Sequence, residues 1–145
     1  MICLVYEKMS EEKVELRPVA VTGEEPLPKG YYAYLEDLDT HKKYLIPYGT
    51  WTIGRKADGV EVDIPVETCS EKMSFISKKQ GILTLKRNLI GENALYLRDS
   101  EEVANPSAVE GFAMNRFFDY QILHEDVVRL GATFFRVYLH VDGAK

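Results

Sequence analysis

Cysteine is scarce in this chain, which excludes two classes of small protein. Only Cys3 and Cys69 occur among the 145 residues, and they form no C-x-x-C pair. A disulfide-rich secreted domain or a structural zinc site needs more cysteine or histidine ligands at closer spacing. The sequence therefore predicts a protein with no disulfide framework and no structural metal, and it favours a reducing cytoplasm.

Long apolar runs are also missing at the N-terminus. The apolar residues Ile2 to Tyr6 are followed at once by Glu7 and Lys8. A membrane-spanning helix needs about 20 apolar residues, and the core of a signal peptide needs about 7–15. We therefore expect a cytoplasmic protein that does not interact with membranes.

Basic charge is not in excess. The chain has 18 lysines and arginines against 23 aspartates and glutamates, and its net charge is -5. Because nucleic-acid-binding domains attract phosphate backbones with a surplus of positive charge, we expect no nucleic-acid partner. A local cluster of basic side chains can still bind a small anion, since charges more than about 8 Å away are screened.

Catalytic motifs are absent as well. The sequence contains no G-x-S-x-G element, no P-loop and no metal-ligand spacing. The three histidines, His41, His124 and His140, lie far apart in the chain. We therefore expect no enzyme activity and no cofactor.

Aromatic residues and short alternating segments are what the chain does contain. Nine tyrosines, six phenylalanines and one tryptophan favour strands, where flat rings pack on a pleated surface. Recurrent strand signals between turns, without a long amphipathic segment, predict an all-β sandwich of two antiparallel sheets. One short helical turn is expected over residues 112–118. The expected strands are residues 31–36, 43–46, 50–53, 60–64, 82–86, 94–98, 119–123, 127–130 and 133–141.

Residues 1–29 form a distinct N-terminal extension before the predicted domain at 30–145. Residues 2–6 and 14–21 are candidate strands, and residues 23–30 read as a linker because two prolines interrupt regular pairing. We expect this extension to pair with or pack on the sandwich, because residues 2–6 are too apolar for a free tail.

A central stretch places basic and hydroxyl side chains next to two strands. The first strand ends in Ile53-Gly54-Arg55, and Ser77-Lys78-Lys79-Gln80 directly precedes the next strand. A guanidinium at one strand end, with a hydroxyl and ammonium groups in the following loop, would together bind one small anion.

These segments resemble the forkhead-associated (FHA) domain, a β-sandwich of the FHA/SMAD type that binds phosphothreonine peptides through its loops. The family pattern contains I-G-R, then S-[RK]-x-H-[AG]-x-[IL], then N-G-[ST]-x-V-N-G, then L-x-x-G-D-x-I-x-x-G. This chain offers similar segments in the same order, which indicates a divergent member of bacterial type. The four segments are residues 53–55, 77–83, 105–111 and 122–131.

The chain departs from the family pattern at several positions. Gln80 replaces the usual histidine, which mainly braces the loops, but an amide can still donate and accept hydrogen bonds. Ala104 lacks the hydroxyl that often assists the phosphate, so it weakens the expected site more directly. The remaining departures are Pro106, Glu110 and Glu125.

The resemblance implies a role for each of four residues. Arg55 and Ser77 would bind the phosphate, Lys78 would add a mobile positive charge, and Asn105 would hold the main chain of the ligand. The expected partner is a phosphothreonine-containing protein in a signalling interaction, and the oligomeric state is not predicted.

Alternatives remain open for these residues and for the whole chain. Arg55 would instead form a salt bridge to Asp58 or Asp63, while Ser77 would cap a turn and Asn105 would buttress the loops. A second assignment of the serine motif uses Ser70 or Ser74. At the level of the protein, the alternatives are an FHA-like module that binds its partner without phosphate, or a structural subunit of a larger assembly.

Overall fold

A computed structural model describes residues 16–23 and 26–141, which contain twelve strands and one 3₁₀ helix. Most strands match the predicted segments because alternating side chains there bury one face. The strands are β1 Val19–Val21, β2 Tyr31–Asp37, β3 Lys43–Pro47, β4 Gly49–Arg55, β5 Ile64–Val66, β6 Gly81–Arg87, β7 Asn93–Asp99, β8 Ala108–Val109, β9 Phe112–Ala113, β10 Tyr120–Ile122, β11 Val127–Leu130 and β12 Thr133–Leu139, and the 3₁₀ helix is Ser70–Phe75.

The strands form two packed sheets, as predicted. The larger sheet has the order β1-β3-β2-β12-β11-β8-β9, and the smaller sheet has the order β10-β7-β6-β4-β5. Every pairing is antiparallel except that of β4 with β5. The inward faces of both sheets supply one apolar core, which includes Ile53, Leu83, Leu97, Phe135 and Val137. No helix among the described residues is long and apolar enough to cross a membrane.

The predicted helical turn over 112–118 is wrong. Phe112 and Ala113 pair with β8, and the residues that follow form turns. Asn115 explains the change, because its side-chain oxygen accepts a hydrogen bond from the backbone N–H of Phe117 and closes a local turn. The helix of the structure lies instead at Ser70–Phe75, which the sequence pattern did not indicate.

The predicted strand over 60–64 is shifted. Only Ile64 belongs to β5, which continues to Val66 and pairs with β4 in parallel. Asp63, directly before β5, links the preceding loop to β4. Its carboxylate accepts a hydrogen bond from the backbone N–H of Thr52 at 2.9 Å. The Thr52 hydroxyl in turn accepts from the Asp63 N–H, so side chains make the first link between these segments.

Part of the N-terminal extension belongs to the larger sheet. β1 is the end of the candidate strand at 14–21, and it pairs with β3 in an antiparallel register. Arg17, just before β1, forms an ion pair of 2.8 Å with Asp63 and accepts a hydrogen bond at its carbonyl from the Tyr31 hydroxyl. Residues 16–21 therefore connect the two sheets at one edge. The candidate strand at 2–6 lies outside the described residues.

Candidate functional site

A glycine brings the end of β4 against the loop that precedes β6. A Cβ atom on Gly54 would lie 2.0 Å from the carbonyl oxygen of Lys78, so only glycine fits there. The next residue is linked to the same loop, because the Arg55 N–H donates to the Ser77 carbonyl at 3.0 Å. This close approach holds Arg55, Ser77 and Lys78 in one small area.

Gln80 connects that loop to the loop that carries Asn105. Its side chain is fully buried, and its Oε1 accepts from the Ser77 N–H at 2.9 Å. Its Nε2 donates to the Asn105 carbonyl at 3.2 Å and to the Ser107 hydroxyl at 3.0 Å. The glutamine thus braces the two loops through both ends of its amide. Ser107, which is also fully buried, matches the Ser/Thr position of the motif segment 105–111, but its hydrogen bond with Gln80 was not predicted because the two residues lie 27 positions apart in the chain.

Direct side-chain bonds add to this connection. The Ser77 Oγ accepts from the backbone N–H of Ala104 at 2.9 Å, and Asn105 Nδ2 donates to the Phe75 carbonyl at 3.2 Å. These bonds are the structural roles considered above as alternatives for Ser77 and Asn105. They do not use every polar atom, however. Within the described part of the chain, the Ser77 hydroxyl donates no hydrogen bond and the Asn105 Oδ1 accepts none.

Arg55 and Lys78, which lie next to Ser77, have no acidic partner in the described part of the chain. Arg55 Nη1 lies 3.5 Å from the Ser74 carbonyl oxygen, at the limit of a hydrogen bond. The alternative ion pair with Asp63 is not formed, since Asp63 bonds Arg17 and Thr52 instead. Lys78 is exposed in the turn between Ser77 and Gln80.

The neighbouring lysines, Lys56 and Lys79, do have acidic partners. Lys79 lies 3.6 Å from the Glu102 carboxylate, and Lys56 lies 3.7 Å from Glu67. The pKa of Glu67 is lowered by the hydrogen bond from Lys42 and, next, by the charge of Lys56. Of the cations next to Ser77 in the described part of the chain, Arg55 and Lys78 therefore lack a carboxylate partner, whereas Lys79 has one.

The alternative serines occupy a different element. Ser70 and Ser74 both lie in the 3₁₀ helix, whereas Ser77 lies in the loop directly before β6. The helix is tied to the β2–β3 turn, because Lys72 donates to Asp39 at 2.6 Å, and this hydrogen bond raises the pKa of Lys72. The structure therefore brings Arg55, Ser77, Lys78 and Asn105 together, with Ser77 rather than Ser70 next to Asn105.

Two departures from the family pattern lie in turns of the fold. Glu110 and Glu125 both have positive φ, 50° and 72°, a conformation in which glycine or asparagine is less strained. The Glu110 carboxylate accepts from the Val127 N–H at 2.7 Å, and the Glu125 N–H donates to the Val137 carbonyl. The first bond joins the β8–β9 turn to β11, and the second joins the turn between β10 and β11 to β12.

Comparisons by sequence and by structure give different results. No protein-family model matches the chain, and no curated protein matches it either. The search of solved structures finds FHA domains.

Three of these structures illustrate the similarity. The MEK1 FHA domain in complex with a HOP1 phosphothreonine peptide is 18% identical, with a TM-score of 0.58 over 75% of this chain and 97% of that one. The FHA domain of CT664 from Chlamydia trachomatis is 20% identical, with a TM-score of 0.57 over 74% and 96% of the two chains. The FHA domain of an Arabidopsis thaliana hypothetical protein is 17% identical, with a TM-score of 0.59 over 85% and 99%. The order of the strands, the two packed sheets and these similarities agree, and the chain has the fold of an FHA domain.

Proposed function

We propose that this chain is an interaction module that binds phosphothreonine in a partner protein. The observation that carries the proposal is that backbone contacts hold Arg55, Ser77 and Lys78 in one small area, where neither cation has an acidic partner among the described residues. Arg55 is hydrogen-bonded through its N–H to Ser77, and Lys78 packs its carbonyl against Gly54. Such a group of donors on rigid loops is suited to a phosphate dianion.

Each side chain has a separate task in this proposal. The planar fork of Arg55 binds two phosphate oxygens, and the Ser77 hydroxyl donates to a third. Lys78 adds a flexible point charge from the open side of the site. Asn105 accepts a backbone N–H of the ligand at its Oδ1, because its Nδ2 already donates to Phe75.

Similar structures support the same kind of ligand. The MEK1 FHA domain is described with a phosphothreonine peptide, and another similar structure belongs to a study of phosphothreonine-dependent FHA interactions. Because these domains are less than 20% identical to this chain, their similarity supports the fold alone. The ligand is therefore proposed from the side chains of this chain. Phosphothreonine is expected to bind better than phosphoserine, because its γ-methyl group adds apolar contact between the loops. A cytoplasmic signalling role remains part of the proposal.

A second candidate function is binding of a partner without phosphate. Two observations favour it: the Glu102 carboxylate neutralises Lys79 beside the site, and Ala104 has no hydroxyl to offer. A partner would then contact the loops or a sheet edge through shape and main-chain hydrogen bonds.

Calorimetric titration with matched phosphorylated and unphosphorylated peptide pools distinguishes the two functions. A hydrogen bond to a charged group contributes about 1.5–3 kcal/mol. Arg55→Ala should therefore weaken phosphopeptide binding at least about tenfold, and Ser77→Ala by a similar or smaller factor. Arg136→Ala is a matched control, since Arg136 is exposed on the outer face of the larger sheet and should leave the affinity unchanged.

The result that would overturn the proposal is equal affinity for the two peptide pools, undiminished by Arg55→Ala. Thermal unfolding of Arg55→Ala should match that of the wild type, because Arg55 is only partly buried. Ser77→Ala also loses the hydrogen bond from the Ala104 N–H, so its midpoint should be slightly lower. Unchanged unfolding shows that a loss of binding comes from the site and not from the fold.

A further inference from the structure

Two large aliphatic side chains lie in solvent at the turn that joins β6 to β7. Leu89 is completely exposed and Ile90 is 78% exposed. A single exposed apolar residue is ordinary on a protein surface, but these two are adjacent and lie where a turn usually has polar residues or glycine. β6 begins at Gly81, directly after Gln80, and its seven residues run away from the candidate site. At about 3.4 Å per residue, the turn lies roughly 20 Å from that site.

Other residues fold this turn. Asn88 Oδ1 accepts hydrogen bonds from the N–H groups of Ile90 and Glu92, at 3.1 and 2.9 Å. The Gly91 N–H donates to the Asn88 carbonyl at 3.0 Å, and Gly91 has a φ of 81°, which glycine adopts without strain. The turn therefore gives no reason for large aliphatic side chains at Leu89 and Ile90. Because its backbone is fixed, it presents both of them to a partner at low entropic cost.

An open apolar groove lies beside these side chains, on the outer face of the smaller sheet. Its volume is about 500 Å³, and it is lined by Leu89, Ile90, Tyr96, Lys86, Arg87 and Asn88. The Tyr96 ring forms the floor on β7, and Lys86 Nζ lies 5.2 Å from the centroid of that ring. Since cavities of about 300–1,000 Å³ hold small ligands, this groove has room for a large side chain of a bound segment.

Lys86 gives the groove a positive charge. Within the described part of the chain, no carboxylate lies within ion-pair distance of its ammonium group. Asp119 is already paired, because Arg98 Nε donates to it at 2.9 Å. This hydrogen bond is the main cause of the lowered pKa of Asp119, and the charge of Lys86 contributes least to it. An apolar groove with a cation at its rim is complementary to a carboxylate next to an apolar side chain.

Other occupants fit the groove less well. The side chains of Leu89 and Ile90 together hold fewer carbons than one myristoyl chain, which by itself binds a bilayer only marginally. The net charge of -5 also repels anionic lipid headgroups. Two copies of this chain that met turn to turn would bring their Lys86 ammonium groups together. A protein segment that carries carboxylates is therefore the favoured occupant.

We infer that the groove beside the β6–β7 turn is a second binding site, which takes an acidic segment of a partner protein that also carries an aliphatic or aromatic side chain. Leu89, Ile90 and Tyr96 bury that side chain, and Lys86 pairs with a neighbouring carboxylate. The site is separate from the candidate phosphate site, because it lies at the other end of β6. With both sites, the chain links two partners, one at each end of the sandwich.

Selection of short random peptides without phosphate on the full chain tests the inference. Peptides that combine Asp or Glu with Leu, Ile, Phe or Trp should be enriched. Leu89→Ser with Ile90→Ser should weaken the best synthetic peptide at least about tenfold, because the apolar contact is lost. Lys86→Gln should weaken it about threefold at low salt and less at about 1 M salt. Phe112→Ser is the matched control, since Phe112 is 79% exposed on β9 and should leave the affinity unchanged.

Three results would overturn the inference. The first is a selection that yields no acidic peptide whose binding depends on Leu89 and Ile90. The second is another occupant: phosphatidylcholine–phosphatidylglycerol vesicles, or a second copy in sedimentation, bound by the wild type and lost in the double variant. The third is a fall in the thermal midpoint of the double variant, which would assign the two side chains to the fold. We expect the wild-type midpoint instead, because both side chains are exposed.

Discussion

At the scale of single residues, Gln80 joins the two loops that carry Ser77 and Asn105 in the candidate site. Its amide accepts from the Ser77 N–H and donates to the Asn105 carbonyl, in a fully buried position. The buried amide supplies a hydrogen-bond partner to a backbone group of each loop. Separating the loops would leave these polar groups unpaired in the interior, which raises the free energy needed to move either loop. This replacement for the usual family histidine preserves the bracing role that the resemblance implies.

The residue-scale prediction concerns this brace. Gln80→Leu keeps an apolar side chain of similar length but leaves the Ser77 N–H and the Asn105 carbonyl without their partners. We expect the free energy of unfolding to fall by about 2–4 kcal/mol, because each unsatisfied buried group costs about 1–3 kcal/mol. Phosphopeptide affinity should fall as well, although Gln80 does not touch the phosphate.

Urea unfolding and calorimetry measure the two effects of this substitution. Gln80→His is the informative control, because imidazole can again donate and accept and should restore part of both losses. If Gln80→Leu binds phosphopeptide as tightly as the wild type, the connection between the loops has no part in binding.

At the scale of elements, glycines decide how strands and loops approach each other. Gly54 allows the end of β4 to contact the Lys78 carbonyl, and Gly131 allows the β11–β12 turn to contact Phe75. Both contacts lie at the end of the sandwich where the candidate site forms. Close backbone approach there gives a rigid support to side chains that remain in solvent.

The element-scale prediction concerns β1. Deleting residues 1–29 removes the pairing of β1 with β3 and the ion pair between Arg17 and Asp63. We expect the melting temperature to fall by about 5 °C or more, since about 1 kcal/mol corresponds to several degrees in a domain of this size.

A second deletion, of residues 1–15 only, separates β1 from the preceding segment in the same calorimetric scan. It retains every contact described for Arg17 and β1, so the difference between the two midpoints measures what those contacts contribute. An unchanged midpoint after deletion of residues 1–29 would contradict a stabilising role for the extension.

At the scale of the whole molecule, the net charge of -5 opposes binding of an anion. The proposed function therefore depends on a local concentration of positive charge on Arg55 and Lys78, close enough to act within the screening length. Attraction of this kind weakens as ionic strength rises, whereas apolar contact does not.

The prediction at this scale concerns pH and salt. The second pKa of a phosphothreonine phosphate is about 6, so the dianion dominates at pH 7.5 and is about a quarter of the total at pH 5.5. Because the site favours the dianion, affinity should fall about fourfold over this interval, and it should fall again as salt rises from about 0.1 to 1 M.

Titrations at the two pH values and at a series of salt concentrations measure this dependence. Thermal unfolding at both pH values serves as the control for the fold, and the unphosphorylated peptide controls for changes elsewhere on the protein. Affinity independent of both pH and salt would favour the phosphate-independent function.

The sequence by itself determined most of the strands and indicated which loops carry the candidate binding residues. Alternating apolar residues place one face of β2, β6, β7 and β12 in the core, so those strands are recognisable from local pattern alone. The order of the four motif segments likewise indicated the fold, which the sheet order and the solved FHA domains confirm. The positions of Arg55 and Ser77 beside strand ends also predict a candidate site there, and that site stays a prediction.

Only the tertiary structure decided the features that depend on partners distant in the chain. The local sequence of Ser70–Phe75 only weakly indicates a 3₁₀ helix. The helix contacts Asp39 and Gly131, which belong to other loops. The same holds for the short strands β8 and β9, which are too brief to show a period. Gln80, Asn105 and Phe75 meet because three loops pack together, and pairing across such separations is set by the packed sheets rather than by local sequence.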